Sequence, residues 1–234
     1  MKHEILGVIP ARGGSKGIPH KNIRDMQGKP LIAHTIEKAK QSRYIDRLIV
    51  STDDPKIADV ARFYGAEVPF LRPAELASDS SRAIDAIKHA LITMEDLDHK
   101  RYEYIVYLEP TSPNRSAEDI DDAVDLFLHS DADSLASVVE ATQYHPILMK
   151  TIENGYLKPI YKDEPEGMPR QEYAPKAYMR NGAVYIFRRE NVLQRILWGQ
   201  TILPYVMPIE RSACIDDMND WYLAEIWMQK LNQR

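Results

Sequence analysis

The stretch that most restricts how this chain can fold runs from Ile5 to Asn22. Ile5-Leu6-Gly7-Val8-Ile9 is a short aliphatic run ending on Pro10, the pattern of a central strand buried on both faces of a parallel sheet. Ala11-Arg12-Gly13-Gly14-Ser15-Lys16-Gly17 follows at once, then Pro19-His20-Lys21-Asn22. Glycines let main-chain N–H groups come close to an anion, and Arg12, Lys16 and Lys21 add positive charge to the same loop. Open α/β sheets hold ligands beyond the carboxyl ends of their strands, so the stretch reads as a phosphate cradle after strand one. Neither G-x-x-x-x-G-K-[ST] nor G-x-G-x-x-G occurs in it, which excludes the two common nucleotide fingerprints.

The rest of the chain alternates strand and helix, as a parallel sheet requires. Leu31, Ile32, Thr35, Ile36 and Ala39 have helical spacing behind Pro30, which suits a first turn. A strand over 47–52 leads to Asp53-Asp54, either of which can cap a helix starting near Pro55 and stopped by Gly65. Val68 to Leu71 is a short apolar piece. Ile84, Ile87, Leu91 and Met94 mark another helix, and Tyr104 to Leu108 another central strand. Ser116 with Asp119 resembles a capping box ahead of Ile120, Ala123, Val124 and Phe127. Further strands are predicted over 133–139 and 184–187. The closing helix is predicted over 220–232, with Trp221, Ala224, Trp227, Met228 and Leu231 on one face. Residues 145–175 break the pattern with prolines, Asn154-Gly155 and mixed charge, and read as a hairpin-like excursion used for self-association.

A length of 234 residues suits one α/β domain, or a domain plus a small lobe. The formal charge of −5 argues against a general nucleic-acid surface and makes the basic loop a local feature. The single cysteine, Cys214, excludes an internal disulfide and a cysteine-based zinc cluster. The start, Met1-Lys2-His3-Glu4, lacks the apolar core of a signal peptide, and no run is long enough to span a membrane, so a cytoplasmic location is expected.

Four polar clusters fall after strands or between elements: residues 12–22, 72–81, 109–115 and 216–217. Each has an ordinary structural explanation. Arg72 can be a surface cation, Ser80-Ser81 a cap, and Asp216-Asp217 a cap or a solvated pair. Together they would line one crevice along the sheet edge.

Their order along the chain resembles that of the acylneuraminate cytidylyltransferases, the CMP-sialic acid synthetases. Ile9-Pro10-Ala11-Arg12-Gly13-Gly14-Ser15-Lys16-Gly17 with Lys21-Asn22 looks like the opening signature of that family. Arg72-Pro73-Ala74-Glu75-Leu76-Ala77, then Asp79, Ser80-Ser81 and His89, resembles its second block. Pro110-Thr111-Ser112-Pro113-Asn114-Arg115 resembles Q-P-T-S-P-x-R. Arg170-Gln171, Asn181-Gly182-Ala183-Val184-Tyr185, and Ile215-Asp216 with Asp220-Trp221 and Ala224-Glu225 follow the later elements. The resemblance covers essentially the whole chain.

It implies a three-layer α/β/α nucleotidyltransferase fold, Rossmann-like, with a mostly parallel sheet and a small dimerisation excursion. It also implies transfer of CMP from CTP to the anomeric hydroxyl of a 2-keto-3-deoxy nonulosonic acid, releasing pyrophosphate. Arg12 and Lys21, with the Gly13 and Gly14 amides and Ala11, Ser15 and Lys16 beside them, are expected to hold the triphosphate. Asn22, Arg72 and Ser81 are expected at the nucleoside, and Asp216 at Mg²⁺. Arg170, Arg180 and Lys150 are the cationic candidates for the sugar carboxylate, and a homodimer is expected.

Two positions depart from the pattern. Glu109 stands where the family commonly has Gln, and Cys214 where it has the first of two aspartates flanking Ile. A thiol is a poor ligand for a hard cation. Asp217 or Glu109 could replace the missing carboxylate, or Asp216, triphosphate and water could hold the metal alone; the last is the expectation. Glu109 is expected instead to read the acceptor, pointing to a nonulosonic acid other than plain N-acetylneuraminate. Two alternatives stay open: a synthetase for the eight-carbon acid of lipopolysaccharide, and a nucleotide-binding regulatory protein that has lost turnover.

Overall fold

The computed structural model describes residues 3–15, 17–160 and 167–233, so Lys16 and the tip of the excursion lie outside the described residues. In chain order the strands are β1 (Ile5–Pro10), β2 (Asp25–Met26), β3 (Lys29–Pro30), β4 (Arg47–Ser51), β5 (Tyr104–Tyr107), β6 (Ser134–Glu140), β7 (Lys150–Glu153), β8 (Tyr156–Pro159), β9 (Tyr178–Arg188) and β10 (Ile202–Val206). The helices are α1 (Leu31–Gln41), α2 (Pro55–Phe63), α3 (Ala83–Asp98), α4 (Ala117–Leu128), α5 (Arg189–Leu193) and α6 (Met218–Asn232).

Six strands form the main sheet in the order β10-β6-β9-β5-β1-β4. β1 pairs in parallel with both β4 and β5, and β10 with β6. β9 runs antiparallel to β5 and β6. The mostly parallel α/β sheet expected from the sequence is therefore present, with one reversed strand in its middle. Alternation along β1 explains the layers. Ile5 and Ile9 pack with Ile36, Ile57 and Val124 of α1, α2 and α4 on one face. Leu6 and Val8 pack with Ile87, Leu91 and Met94 of α3 on the other. A third cluster joins Ile18, Met26 and Leu31 to Ile215, Trp221 and Met228. It ties the segment after the glycine loop to the start of α6.

Helix starts follow their caps. Asp54 accepts a hydrogen bond from the Lys56 amide ahead of α2. The capping box of α4 forms between Ser116 and Asp119. The cap offered by the sequence at Asp216-Asp217 falls on Asp217, whose side chain accepts from the Asn219 and Asp220 amides and completes a second capping box with Asp220. α6 consequently starts at Met218 rather than at 220, and its buried face is Trp221, Ala224 and Met228, with Trp227 left half-buried. Pro30 precedes α1 as its N-cap instead of lying in its first turn. Tyr64 caps α2 and Gly65 follows at φ +83°. Residues 68–71 contribute only one isolated bridge, from Leu71 to Thr52.

Two strand expectations need correction. The predicted strand over 184–187 is the buried end of the longer β9, whose first three residues are exposed and lacked the apolar signal. β10 was not expected at all, because Ile202–Val206 is an edge strand that alternates exposed and half-buried positions around Pro204. The excursion does hold a hairpin: β7 and β8 pair antiparallel around Asn154-Gly155, both at positive φ, 52° and 81°. That is the two-residue turn this dipeptide favours.

Candidate active site

A cleft of about 670 Å³ opens at the carboxyl ends of β1 and β5. Arg12, Gly14, Ser15, Lys21, Asn22, Arg72 and Ser81 line it, with Glu109, Cys214 and Asp216. The topology thus brings the four sequence clusters together. Ala11 is buried beneath the loop, its amide donating to the Ser51 carbonyl at 3.0 Å.

The glycine loop is held from behind. The Gly13 amide donates to Asp53 Oδ1 at 3.0 Å, and Asn22 Nδ2 donates to the Arg12 carbonyl at 3.1 Å. The amide of Gly13 is therefore engaged by an aspartate, which any incoming phosphate must compete with. Gly17 is required by packing, since a Cβ there would lie 2.2 Å from the Asp216 carbonyl oxygen. At Gly14 a Cβ would meet nothing within 4 Å. Arg12 reaches Asp79 at 2.8 Å from an exposed position. Lys21 is more enclosed; its Nζ donates to the Ile215 carbonyl at 2.6 Å and lies 3.9 Å from the Asp216 carboxylate.

The expected nucleoside contacts have different settings. Asn22 is buried, and its amide nitrogen is already spent on the loop. Arg72 is buried too: its Nε donates to Ser51 Oγ at 3.1 Å, and it also donates to the Ser51 carbonyl. Burial pulls its guanidinium below the ordinary arginine range. Arg72 therefore props the end of β4 as well as lining the cleft. Ser81 donates to the Glu75 carbonyl at 2.7 Å, which fixes the turn ahead of α3.

Glu109 stands at a junction. It lines the glycine-loop cleft and also a second cavity of about 400 Å³ walled by Tyr107, Arg180, Tyr185, Leu197 and Trp198. Gly182, at φ +70°, makes room for it; a Cβ there would fall 2.4 Å from Glu109 Oε2. Burial raises the Glu109 carboxyl above the ordinary range, Arg115 opposes this, and Asp216 adds to it. Arg180 stacks 4.7 Å over the Trp198 ring. Of the three cationic candidates for the sugar carboxylate, Arg180 is the one in this cavity. Arg170 lines a different cavity with Glu140, His145 and Lys176 at the root of the excursion. Lys150 starts β7 and donates to the Ile147 carbonyl at 3.2 Å.

The acidic corner answers part of the metal question. Asp217 is committed to capping α6, which removes it as a substitute for the missing carboxylate. The Asp216 side chain is 88% exposed. Cys214 is exposed overall, yet desolvation in the cleft, with Glu109 and Asp216, pushes its thiol up to about 11. Among the described residues no group of three or more His, Cys, Asp or Glu is placed to hold a metal. One hard carboxylate, with Glu109 near enough to feel its charge, fits a cation that takes its other ligands from phosphate and water.

Sequence reading missed what supports this wall. Arg115 is 1% exposed and donates to Thr35 Oγ1 at 2.9 Å and to the Glu109 carbonyl. Burial lowers it to about 10, against the pull of Glu109 and Asp119. It lies in a motif already singled out, but a buried arginine carries no sequence mark of its burial. Trp198 had no signal beyond being one of three tryptophans.

The model of the family described as "Cytidylyltransferase" matches residues 6–203. The chain is 36% identical to the CMP-N,N'-diacetyllegionaminic acid synthase of Legionella pneumophila, over 98% of this chain and 97% of that protein. It is 33% identical to the N-acylneuraminate cytidylyltransferase of Escherichia coli O18:K1:H7, over 100% of this chain and 54% of that protein. A solved CMP:2-keto-3-deoxy-manno-octonic acid synthetase complexed with CTP has the same fold, with a TM-score of 0.68 at 17% identity over 99% of this chain and 100% of that one. With a glycine-loop cleft at the strand ends and a family match over most of its length, the chain belongs to the cytidylyltransferase family.

Proposed function

We propose that this protein transfers CMP from CTP to the anomeric hydroxyl of a nonulosonic acid, releasing pyrophosphate. The observation that carries this reading is Glu109, which with Ala83 and Tyr107 lines both the nucleotide cleft and the aromatic cavity beside it. A reaction joining two substrates needs two adjoining chambers, and the reacting oxygen and phosphorus must meet where they join. The relatives named for diacetyllegionaminic and N-acylneuraminic acids favour a nine-carbon acceptor over an eight-carbon one. The octonic acid synthetase, at 17% identity, shares the fold.

Arg12 and Lys21 hold the triphosphate, with the loop amides of Gly13 and Gly14 and Ser15; Arg72, Asn22 and Ser81 flank the nucleoside. Charge grows on the α-phosphate oxygens as the acceptor hydroxyl attacks, and fixed cations that need not reorganise stabilise it. Asp216 would hold Mg²⁺ together with phosphate and water, and the cation would supply further charge neutralisation. Arg180 pairs with the acceptor carboxylate, while the stacked rings of Tyr107 and Tyr185, with Trp198, pack its apolar substituents. Glu109 accepts from an acceptor hydroxyl or amide.

A homodimer is part of the same proposal. Ile152, Tyr156 and Leu157 of the hairpin are 76%, 73% and 68% exposed, an apolar surface that suits a second copy. Arg170 and Lys150, which do not line the acceptor cavity of their own chain, would then serve the acceptor of the partner subunit. A cytoplasmic location suits an enzyme that draws on CTP; no helix among the described residues is long and apolar enough to cross a membrane.

The test is pyrophosphate release across four nucleoside triphosphates and a panel of 2-keto-3-deoxy acids with Mg²⁺. Release with CTP and a nine-carbon acid is expected. Release only with an eight-carbon acid, or none with any acid, overturns the reading.

A further inference from the structure

Tyr107 closes β5, where it pairs with Val8 of β1 and Tyr185 of β9, so its backbone is fixed on both sides. Its ring belongs to the core under α3 and lies 6.5 Å from the Tyr185 ring at an angle of 7°; the residue is 7% exposed. Its hydroxyl differs from those of the other wholly or partly buried tyrosines. Tyr44 donates to Asp125 at 2.7 Å and Tyr205 to Asp119 at 3.2 Å. Tyr102 donates to Asp98, and the Tyr185 oxygen accepts from the Gly182 amide at 3.1 Å. The Tyr107 hydroxyl has no hydrogen-bond partner among the described residues, and unlike the Arg115 Nε it is not sealed off. Buried phenols normally find a partner, so one left free at a cavity wall marks a place for a ligand atom.

The place is the junction of the two chambers. Tyr107 lines the glycine-loop cleft and the aromatic cavity alike, as does Glu109 two residues on, whereas Arg72 lines the cleft alone. Burial holds the proton on the phenol, Glu109 adds to that and Arg72 opposes it, so the group is a neutral donor at ordinary pH. Two substrate oxygens meet here, the anomeric hydroxyl and an oxygen on the α-phosphorus. The hydroxyl brings a hydrogen, which suits the Glu109 carboxylate. The phosphoryl oxygen brings only lone pairs, which need a donor. Tyr107 has Arg72, a group of the nucleotide side, as its other charged neighbour.

We propose that Tyr107 is a catalytic residue whose hydroxyl donates to a non-bridging oxygen of the α-phosphate as the acceptor attacks. This contact rests on the CMP transfer proposed above. In that step the acceptor oxygen bonds to the α-phosphorus, the bond from that phosphorus to the bridging oxygen breaks, and its electron pair leaves with pyrophosphate. The acceptor's proton passes to solvent, and Tyr107 keeps its own. A donor fixed by two flanking strands need not reorganise as charge gathers on the phosphoryl oxygen.

Tyr107→Phe removes the oxygen and leaves the ring. Because the oxygen has no partner in the chain, Tm should hold or rise. In pyrophosphate release with CTP and a nine-carbon acid, kcat should fall on the order of 10–100-fold, with acceptor KM and calorimetric CTP Kd within about twofold. The sharper readout uses the two diastereomers of CTP that carry sulfur in place of one non-bridging α-oxygen. Sulfur is a weak acceptor, so the full-length wild type should lose rate on the diastereomer whose sulfur faces Tyr107. That loss should shrink roughly fivefold in Tyr107→Phe, while the loss on the other diastereomer stays as it is.

A weaker CTP Kd with kcat held would put the hydroxyl on the nucleoside, and a raised acceptor KM with kcat held would put it on the acceptor; either overturns the proposal. An unchanged kcat, which leaves water as the partner, also overturns it, as does a Tm lowered by several degrees. Sulfur effects identical in both proteins for both diastereomers do the same. A wild type that releases no pyrophosphate with any acid overturns the proposed transfer and this contact with it. A wild type that turns over and is matched by Tyr107→Phe overturns the contact alone.

Discussion

On the side of the cleft proposed to hold phosphate the loop is shaped by main chain, with glycines backed by Asp53, Asn22 and a carbonyl of the opposite loop. On the side proposed for the acceptor the lining groups are side chains: Arg180 and Tyr185 on β9, Glu109 on a loop propped by buried Arg115, and Trp198 between α5 and β10. The first wall offers few positions where a substitution is tolerated, because backbone geometry leaves no slack. The second can change its chemistry while its scaffold stays, and it is on this side and in the acidic corner that the chain departs from the family pattern. A phosphate chain is the same in every reaction of this type. The acceptor is what differs.

The comparison would break most clearly at Lys21. It is enclosed, anchored to the Ile215 carbonyl and 3.9 Å from Asp216, so Lys21→Met should lower kcat/KM on the order of 10²–10³-fold, measured by pyrophosphate release. A loss under threefold would mean that the phosphate wall works through its amides alone. Next come two glycines in one loop. Gly17→Ala forces the Asp216 carbonyl to move and should cost roughly 10–100-fold in kcat/KM with the fold intact by circular dichroism. Gly14→Ala meets no neighbour and should stay within about twofold unless the bound phosphate itself needs the space.

Glu109→Gln sharpens the acceptor side. The ratio of kcat/KM between two nonulosonic acids should shift on the order of tenfold, and an unchanged ratio would remove Glu109 from acceptor reading. The same change should raise Tm by a few degrees at neutral pH without ligands. The folded carboxyl is raised above its unfolded value, so the folded state binds the proton more tightly. Stability therefore falls as pH climbs from the ordinary carboxylate range through the raised value. Glutamine has no such slope, and the gain should vanish in acid. A smaller effect is expected for Cys214→Asp. A second carboxylate beside Asp216 should lower the Mg²⁺ concentration for half-maximal rate roughly three- to fivefold, while CTP affinity without metal weakens slightly.

Much of the phosphate wall was legible because its requirements are local: a buried strand, then glycines and cations in one short loop. Ser116 and Asp119 were legible for the same reason, since a capping box is written within four residues. The acceptor wall was not. Nothing in Tyr178–Arg188 states that the strand runs antiparallel between β5 and β6, and without that reversal Arg180 cannot be set beside Trp198. Asp216 and Asp217 look alike in sequence, yet one is open to the cleft and the other caps a helix. That division appears only once Trp221 has seated α6 in the small third core.

The contact of Gly17 with Asp216, together with the bond from Lys21 to Ile215, bears on how wide the cleft can open. Both link the phosphate loop to the segment that begins α6, and Ile18 and Ile215 share one apolar cluster beneath them. Phosphate loop and acidic corner are therefore spaced before any ligand arrives, as the jaws of a gauge are fixed by its frame. Binding energy need not be diverted to bringing them together. A ligand that matches this spacing need only displace Asp53 from the Gly13 amide.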